Sequence, residues 1–514
     1  MDEPGGSRHR TVLRVLAAAL LGALHTPAYA DPPRLWPLSV VAIAALVALL
    51  QRATPARAAW LGLAFGSGWL GAGVWWLFVS MHRYGGLPAW MAAAAVAALS
   101  MALSLYLAVA CAAWARWRPG RPLADALLLA ALWLLAELAR GLLFTGFPWV
   151  ASGYALVDAP LAALAPWVGV YGIGALLAFA AALLGGISGC RGRARAGVLL
   201  GAAAVLLAPL ALPGSGFTEP AGRISVSLLQ TDVAQEEKFR PARTPELLQA
   251  LGEQLRGARG QLVVAPETAV PLLPARLAAL APQWWAEHLE PIARSGRAAL
   301  VGVPLGDFDE GYTNSVAGLA AGAAYRYDKH HLVPFGEFIP RGFRWFTQRM
   351  DIPLGDFSRG PLRAPAFAAL GQRLGPNVCY EDLFGEELAA RFTDPAQAPT
   401  VLVNLSNIAW FGDTVALPQH LHITRMRTLE LERPMLRATN TGVTAIVDHR
   451  GRVVDRLPPF AAGVLEGEVE GRKGLTPYAR WAGAWGLWPL AVAALAVIAL
   501  VVLAGRGGRA RAAP

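Results

Sequence analysis

The uneven distribution of apolar residues constrains the fold of this chain more than any other feature. Up to about Pro213 the chain consists of long apolar runs with few charges, and a last run occupies Trp485 to Leu503. Between them, to about Arg480, the composition is that of a soluble α/β domain. The 514 residues are 55% hydrophobic and 16% charged, which is too apolar for an ordinary soluble protein. The sequence therefore predicts a membrane domain at 1–213, an extramembrane domain at 214–480, and a closing membrane helix with a basic tail at 481–514.

Eight apolar stretches approach the length needed to cross the hydrocarbon core, which takes about 20 helical residues. They fall at 12–28, 36–51, 58–80, 89–115, 122–144, 161–188, 196–213 and 483–504. The first two are the shortest. The pattern predicts seven transmembrane helices before the large domain and one after it.

The arginines of the short loops indicate how these helices are oriented. One alternating set of loops, with the C-terminal tail, holds fourteen arginines, and the opposite set holds three. The fourteen are Arg8, Arg10, Arg14, Arg52, Arg57, Arg116, Arg118, Arg121, Arg191, Arg193, Arg195, Arg506, Arg509 and Arg511, and the three are Arg34, Arg83 and Arg140. Because cytoplasmic loops are enriched in basic residues, we expect both termini in the cytoplasm and the large domain in the periplasm. This topology also explains the net charge of +10, since no basic stripe with interleaved aromatics indicates nucleic-acid binding.

Three features of the membrane region have more than one interpretation. The N-terminus, with basic residues, a short apolar run and Ala28-Tyr29-Ala30, also fits a cleaved signal peptide. Glu137 and Arg140 lie three residues apart on one helix face, which indicates either a functional cavity or a structural ion pair. The aromatic, proline-broken segment 144–149 that follows is typical of either a lipid entry or an interfacial belt.

The extramembrane segment alternates strand-like apolar runs with helical stretches. The predicted strands are Ile224–Gln230, Gln261–Ala265, Ala298–Val303, Asn314–Leu319, Leu374–Cys379, Val401–Leu405 and Gly442–Val447, and the predicted helices are Pro245–Arg256, Trp284–Ser295, Leu383–Arg391 and His420–Glu432. Several of the strands are continuously apolar, as expected when both faces are covered. A layered α/β domain with helices outside central sheets is therefore expected.

Three polar clusters stand at or beyond the ends of predicted strands, where such folds build their sites. Glu267 follows an apolar strand and a proline, and taken alone it is typical of a capping or loop glutamate. Lys329 alone is typical of a solvated lysine. The adjacent His330 and His331 are poorly spaced to chelate one metal ion, so no metal is expected. Cys379 is the one cysteine of this domain, and it is either a buried core residue or a nucleophile.

The three clusters share one chemical logic. A thiol attacks a carbonyl as its thiolate, so it needs a base to remove its proton. A buried carboxylate such as Glu267 can be that base. The ammonium of Lys329 and a backbone N–H after Cys379 can stabilise the negative charge of a tetrahedral intermediate. Together they predict a thiol acyl-transfer site.

With these residues assembled, the sequence resembles the nitrilase superfamily, whose members carry a Glu-Lys-Cys triad in an αββα sandwich. The flanking membrane segments make it similar to the apolipoprotein N-acyltransferase family, the membrane-embedded branch, through essentially the whole chain. The similarity is densest in Lys329–Pro340, Cys379–Glu381, Ser406–Asp413, Gln419–Leu421, Arg425–Arg427, Glu430–Pro434, Asn440–Ala445 and Thr476–Arg480. The implied fold is a multi-span α-helical membrane domain plus a nitrilase-like αββα domain.

The resemblance implies a role for each residue of the triad. Glu267 is expected to be the general base, and Cys379 the nucleophile that carries the acyl chain as a thioester. Lys329 is expected to stabilise the oxyanion together with the backbone N–H of Tyr380.

The resemblance also implies supporting residues. Glu337 and Glu381 match further acidic positions, which would orient the lysine or the thiol, and Trp410 matches an aromatic residue of a mobile loop near the entrance. Two positions depart from the family pattern: Phe239 stands where a tryptophan is usual, and Ile408 where an aspartate is usual. The triad itself matches the family pattern. The two departures therefore bear only on how the substrate is handled near the lids, the segments around Phe239 and Trp410.

The implied reaction is ping-pong acyl transfer without a cofactor. An acyl chain, expected from the sn-1 position of phosphatidylethanolamine, passes through Cys379 to the α-amino group of a lipoprotein's N-terminal diacylglyceryl-cysteine. The partners are then a phospholipid, the apolipoprotein and the bilayer of a bacterial inner membrane, with a monomeric enzyme. Two other classes stay open: a membrane-tethered amidase or nitrilase with a soluble substrate, and a non-enzymatic lipid-binding scaffold.

Overall fold

The computed structural model describes residues 4–30, 33–212, 216–340 and 356–511. The chain divides into two compact units. The first comprises Met1–Phe78, Ala89–Gly214 and Leu487–Pro514, and the second comprises Val79–Pro88 and Ser215–Gly486. The short segment Val79–Pro88, which comes from within the predicted membrane region, therefore packs with the second unit.

The first unit consists of long apolar helices. They are Pro4–Leu24, Trp36–Leu50, Pro55–Gly73, Ala89–Trp117, Pro122–Leu142, Ala165–Gly185, Gly192–Leu207 and Trp488–Arg511. Among the described residues, six helical spans are long and apolar enough to cross a membrane, or seven if the pair Pro55–Gly73 and Leu77–Tyr84, bent by 62°, is one span. Trp36–Leu50 has only 15 residues, about 22 Å of helix against a hydrocarbon core of about 30 Å. The count of eight spans stays a prediction.

A buried ion pair lies in the first unit, on the helix Pro122–Leu142. Arg140 Nη2 is 3.2 Å from Glu137 Oε1, and both side chains are almost fully buried. The N–H and the Oγ of Ser152 each donate to the Glu137 carboxylate at 2.7 Å, and Arg140 Nη1 donates to the carbonyl of Phe147 at 3.2 Å. These contacts tie the segment after the helix back to it, which fits the structural interpretation of the pair.

Among the residues that the structure describes, the second unit contains two six-stranded sheets. Their strands are β1 (Thr218–Gln230), β2 (Leu262–Val264), β3 (Ala298–Asp307), β4 (Gly311–Ala320), β5 (Ala323–Asp328), β6 (Phe367–Ala369), β7 (Gln372–Val378), β8 (Val401–Ser406), β9 (Met435–Thr439), β10 (Ala445–Val447), β11 (Val453–Arg456) and β12 (Gly463–Gly474). The first sheet has the order β12-β1-β2-β3-β4-β5, and the second β11-β10-β9-β8-β7-β6. β1, β2 and β3 run parallel, as do β7, β8 and β9, and the other pairs are antiparallel.

The main core of the second unit lies between the two sheets. Because successive side chains of a strand point to opposite faces, Val226 and Leu228 of β1 join this core with Leu374 and Val403 of the second sheet. Leu229 points the other way, into a separate cluster with the outer helices. The layered αββα architecture expected from the sequence is therefore confirmed.

The outer helices cover the two sheets. They are Thr244–Gly257, Pro274–Leu280, Trp284–His288 and Glu290–Arg294 on the first, and Gly385–Ala389, Ala416–Leu431 and Pro477–Trp485 on the second. The expected helix Trp284–Ser295 is two short helices, so that prediction was wrong in its continuity. Pro291 stands in the first turn of the second one, where a residue without an N–H is tolerated, whereas a helix interior is interrupted by it.

Candidate active site

The three predicted site residues follow strand ends in the second unit. Glu267 lies three residues after β2, Lys329 directly after β5, and Cys379 directly after β7. Lys329 Nζ is 3.7 Å from Glu267 Oε1. The charges of both residues act on the Cys379 thiol. The structure therefore brings together three side chains that lie far apart in the sequence.

The ammonium of Lys329 is held between carboxylates. Its Nζ lies 2.9 Å from each oxygen of Glu337. Asn314 Nδ2 donates to Oε1 of both Glu267 and Glu337, at 2.7 and 2.6 Å, and so fixes the two carboxylates relative to each other. Burial lowers the pKa of Lys329, but the charges of Glu337 and Glu267 outweigh it and hold that pKa well above its usual value. Lys329 is therefore a permanent cation of the site.

Cys379 adopts a backbone conformation that is uncommon for a residue other than glycine. Its φ is 51°, in the left-handed region, where such strain is typical of functional sites. Its carbonyl accepts a hydrogen bond from Asn404 Nδ2 at 3.3 Å. Burial raises the pKa of the thiol, and the Glu267 carboxylate raises it further, while Lys329 offsets part of the effect. The resting thiol is therefore protonated and needs a base before it can attack.

The Glu267 carboxylate is oriented by hydrogen-bond donors on each side. Its Oε2 accepts from the backbone N–H of Asn407 at 2.7 Å, and its Oε1 accepts from Asn314 at 2.7 Å. Its main-chain carbonyl accepts from Lys238 Nζ at 2.9 Å. The side chain is only 6% exposed. A buried, oriented carboxylate beside a protonated thiol has the geometry of a general base.

Glu381 connects the two segments that carry the lysine and the cysteine. Its carboxylate accepts from the backbone N–H groups of Val378, His330 and His331, at 2.7, 2.7 and 3.2 Å. The hydroxyl of Tyr327 donates to both of its oxygens, at 2.8 and 2.9 Å. The end of β7 and the residues after β5 are thereby fixed to one buried group. Glu381 thus acts on the backbone, whereas Glu337 contacts the lysine directly.

The adjacent histidines turn to different partners. His330 Nδ1 lies 2.8 Å from the carbonyl of Gly360, and His331 Nδ1 lies 2.9 Å from Glu387 Oε1. The ring of Tyr380 packs against that of His331, with 5.6 Å between their centroids. Within the part of the chain that the structure describes, no group of three or more metal-ligating side chains is placed to hold an ion.

The three residues associated with the lids lie in different settings. Phe239 is half-buried at the end of the short helix Gln235–Lys238. Trp410 is also half-buried, and its ring meets that of Tyr84 edge-on at 5.9 Å. Ile408 is buried in an apolar cluster against which Cys379 also packs. At that departure from the family pattern, an apolar side chain therefore lies in the cluster beside the thiol.

Residues that the sequence did not single out complete the site. Asn440 Oδ1 accepts from the N–H of Val233 and the hydroxyl of Thr231, each at 2.8 Å. Its Nδ2 donates to the carbonyl of Val233 at 2.8 Å and to Asn407 Oδ1 at 3.0 Å. Asn440 thus links the segment after β1 to Asn407, and the backbone N–H of Asn407 donates to Glu267. Asn407 and Asn440 fall in segments where the family resemblance is dense, which is the signal that could have identified them.

Comparisons with known proteins match both the helical and the α/β part of the chain. Residues 21–183 match the family described as apolipoprotein N-acyltransferase N-terminal domain, and residues 226–478 match carbon-nitrogen hydrolase. The apolipoprotein N-acyltransferase of Verminephrobacter eiseniae is 53% identical over 88% of this chain and 89% of that one. The apolipoprotein N-acyltransferase of Ralstonia nicotianae is 48% identical over 90% of this chain and 89% of its own. Among solved structures, an amidase from Nesterenkonia sp. is similar with TM-score 0.36 and 20% identity, over 52% of this chain and 96% of that one.

The αββα sandwich and the matched hydrolase region define a protein of the nitrilase superfamily that also carries apolar, membrane-type helices. The identity to full-length relatives is high over nearly the whole chain. The chain belongs to the apolipoprotein N-acyltransferase family.

Proposed function

We propose that this protein is an apolipoprotein N-acyltransferase of the bacterial inner membrane. It transfers a fatty acyl chain, from the sn-1 position of phosphatidylethanolamine, to the α-amino group of a lipoprotein's N-terminal diacylglyceryl-cysteine. The observation that carries the proposal is the buried cluster of Glu267, Lys329 and the strained Cys379 in a chain of this family. The catalytic domain faces the periplasm.

In the first half-reaction, Glu267 removes the proton of the Cys379 thiol, and the thiolate attacks the ester carbonyl of the phospholipid. Lys329 and the Tyr380 N–H stabilise the oxyanion of the tetrahedral intermediate. The C–O bond then breaks, and Glu267 returns the proton to the departing alkoxide. A lysophospholipid leaves, and the acyl chain stays on Cys379 as a thioester.

In the second half-reaction, the α-amino nitrogen of the acceptor attacks the thioester carbonyl. The C–S bond breaks, an amide forms, and the thiol is regenerated. Burial of the site favours this outcome over hydrolysis, because Glu267, Lys329 and Glu337 are all at most 8% exposed and a thioester persists longer where water is excluded.

The membrane helices suit a reaction between two lipids. Moving an acyl chain into water costs about 0.8 kcal/mol per CH₂ group. A membrane-anchored enzyme avoids most of this cost, since the chains can stay in hydrocarbon while the ester and the amine reach the thiol. A soluble substrate gives no such reason for the helices, which favours the lipid reaction over a membrane-tethered amidase.

Mass spectrometry of the purified full-length protein after incubation with phosphatidylethanolamine vesicles tests the proposal. We expect an acyl adduct on Cys379 that hydroxylamine removes. Cys379→Ala and Glu267→Gln should form no adduct and transfer no acyl chain to a diacylglyceryl lipopeptide. Cys190→Ala, which removes a buried thiol of the first unit, is the matched control and should behave as wild type.

Three results would contradict the proposal. Acylation of the lipopeptide by Cys379→Ala at the wild-type rate would exclude the thioester route through Cys379, whereas no acyl transfer by the wild-type protein itself would favour a scaffold. Release of ammonia from a soluble amide, without any dependence on lipid, would favour an amidase.

A further inference from the structure

The site contains a second buried lysine, whose surroundings are unlike those of Lys329. Lys238 is 3% exposed and lies in the segment after β1 that Asn440 clamps. Its Nζ donates to the main-chain carbonyl of Glu267 at 2.9 Å, and among the described residues it has no other polar partner. An ammonium has three N–H donors. Two of them are therefore left without an acceptor in this part of the chain.

The partner of each lysine determines which protonation state it favours. Lys329 is bonded to carboxylates, which require the ammonium form. Lys238 is bonded to a neutral carbonyl, and a neutral amine can keep that bond with one N–H while its lone pair is free. Burial lowers the pKa of Lys238 to about 8, an effect that the negative charges of Glu267 and Cys379 only partly offset. Two like groups with pKa values moved in opposite directions are typical of divided acid–base roles.

The charged residues next to Lys238 in the sequence are paired elsewhere. Glu236 forms an ion pair with Arg83 at 3.1 Å, and Glu237 one with Arg240 at 2.6 Å. The charges that face Lys238 are thus those of the site itself, from the loops after β2 and β7. Its protonation is coupled to the state of the reacting groups.

The second half-reaction needs a proton acceptor besides Glu267. An α-amino group has a pKa of about 7.7–8.0, so at neutral pH it arrives mostly as an ammonium without a lone pair. It must lose one proton before it attacks and a second one as the amide forms. Glu267 can hold only one of them, which it passes to the sulfur as the thioester breaks.

We propose that Lys238 accepts the first proton of the acceptor's α-ammonium group and thereby makes it nucleophilic. This inference rests on the thioester route proposed above. The neutral amine of Lys238 becomes an ammonium, the substrate nitrogen attacks the thioester carbonyl, and its second proton passes through Glu267 to the sulfur as the C–S bond breaks. Lys238 returns its proton to water before the next cycle. The ligand it recognises is thus a protonated primary amine next to the thioester.

The test measures the two half-reactions separately, with full-length Lys238→Met and Lys238→Arg. Because Lys238 also binds the carbonyl of Glu267, the rate at which each variant forms the Cys379 adduct from phosphatidylethanolamine is measured first and is the reference for its second step. Discharge of the adduct to a diacylglyceryl lipopeptide should slow several-fold near pH 7, and by more than adduct formation does, because the bound ammonium then has no lysine acceptor and only α-amines that are already neutral can attack. The deficit should disappear above about pH 9. Arginine does not substitute, since its guanidinium does not release a proton.

Hydroxylamine and an exposed lysine provide the controls. Hydroxylamine is already neutral near pH 7, so it should discharge the adduct of both variants as fast as that of wild type. Lys473→Met, which changes a lysine that is 55% exposed, should alter neither step.

The outcomes separate this inference from the proposed function. If Lys238→Met discharges to the lipopeptide at the wild-type rate near pH 7, Lys238 is not the proton acceptor, while the thioester route stands. If both variants lose adduct formation and discharge to hydroxylamine equally, the role of Lys238 is structural. If wild type forms no adduct, the proposed function itself fails.

Discussion

The protonation state of each group in the site follows from its neighbours. The thiol of Cys379 is half-buried and lies near a carboxylate, and both desolvation and the negative charge disfavour the thiolate. The same carboxylate can remove the proton at the moment of attack. In the proposed mechanism the resting thiol is therefore unreactive until Glu267 removes its proton, which would protect it from adventitious modification.

Opposite shifts of the thiol pKa are expected when its two charged neighbours are neutralised one at a time. Glu267→Gln removes a charge that raises this pKa, so the midpoint of the pH–rate curve for iodoacetamide alkylation of Cys379 should move to lower pH. Lys329→Met removes a charge that lowers it, so the midpoint should move up. Acyl transfer should nevertheless fall in both variants, by about 10²- to 10⁴-fold for the loss of a general base.

Glu253→Gln changes an exposed helix residue and serves as the control for these alkylation curves. Its midpoint should match that of wild type. A shift of both active-site variants in the same direction would mean that the thiol senses a structural change and not the two charges.

At the level of secondary structure, the sequence predicts those strands whose own residues form a continuous apolar run. The apolar runs of β1, β3 and β8 were predicted for this reason. β9 was missed because Arg437 interrupts its apolar pattern, and most partners of this buried guanidinium lie on another element. Its Nη2 lies 2.6 Å from His420 Nδ1, and its Nη1 donates to Thr424 Oγ1 at 2.9 Å. β12 was missed because it is rich in glycine and glutamate, yet it pairs with β1 along most of its length.

In the site, too, features set by the local sequence could be predicted, whereas features that depend on tertiary partners could not. The predicted strands before Glu267 and Cys379 made these two residues candidates. The strand β5 before Lys329 was not predicted, and Lys329 became a candidate only through the shared chemistry of the three clusters and the family resemblance. Asn314 and Lys238 could not be predicted, because each is placed in the site by a hydrogen bond to Glu267, which lies 47 and 29 residues away, respectively. Nothing in the local sequence of either residue indicates that partner.

The loop that carries Glu267 packs directly on β3, at Gly302. A Cβ atom at this position would clash with the carbonyl of Pro266 and lie 2.7 Å from the Cα of Glu267. Gly302→Ala should therefore displace the carboxylate, and a displacement of about 1 Å can cost about 10²-fold in rate. The measurement is acyl transfer at a temperature where both proteins are fully folded. Gly257→Ala is the control, because a Cβ there meets nothing within 4 Å; wild-type activity in Gly302→Ala would mean that the loop position is not critical.

On the scale of the whole molecule, the first and the second unit meet different physical requirements. The first supplies apolar helices that match the bilayer, and its arginines are expected to fix the orientation. The second supplies rigid strand ends that hold charged groups out of water. The proposed lipid-to-lipoprotein acyl transfer would need both, because its substrates are amphiphiles and its proposed thioester intermediate is sensitive to water.

The orientation of the chain is tested by the accessibility of single cysteines. Arg193 lies in an arginine-rich loop expected in the cytoplasm, and Lys473 lies in the domain expected in the periplasm; both are exposed. In a chain whose own three cysteines are replaced by alanine, a membrane-impermeant maleimide should label Lys473→Cys in intact spheroplasts. It should label Arg193→Cys only after the membrane is permeabilised. The reverse pattern would place the catalytic domain in the cytoplasm and exclude a reaction with lipoproteins at the periplasmic surface.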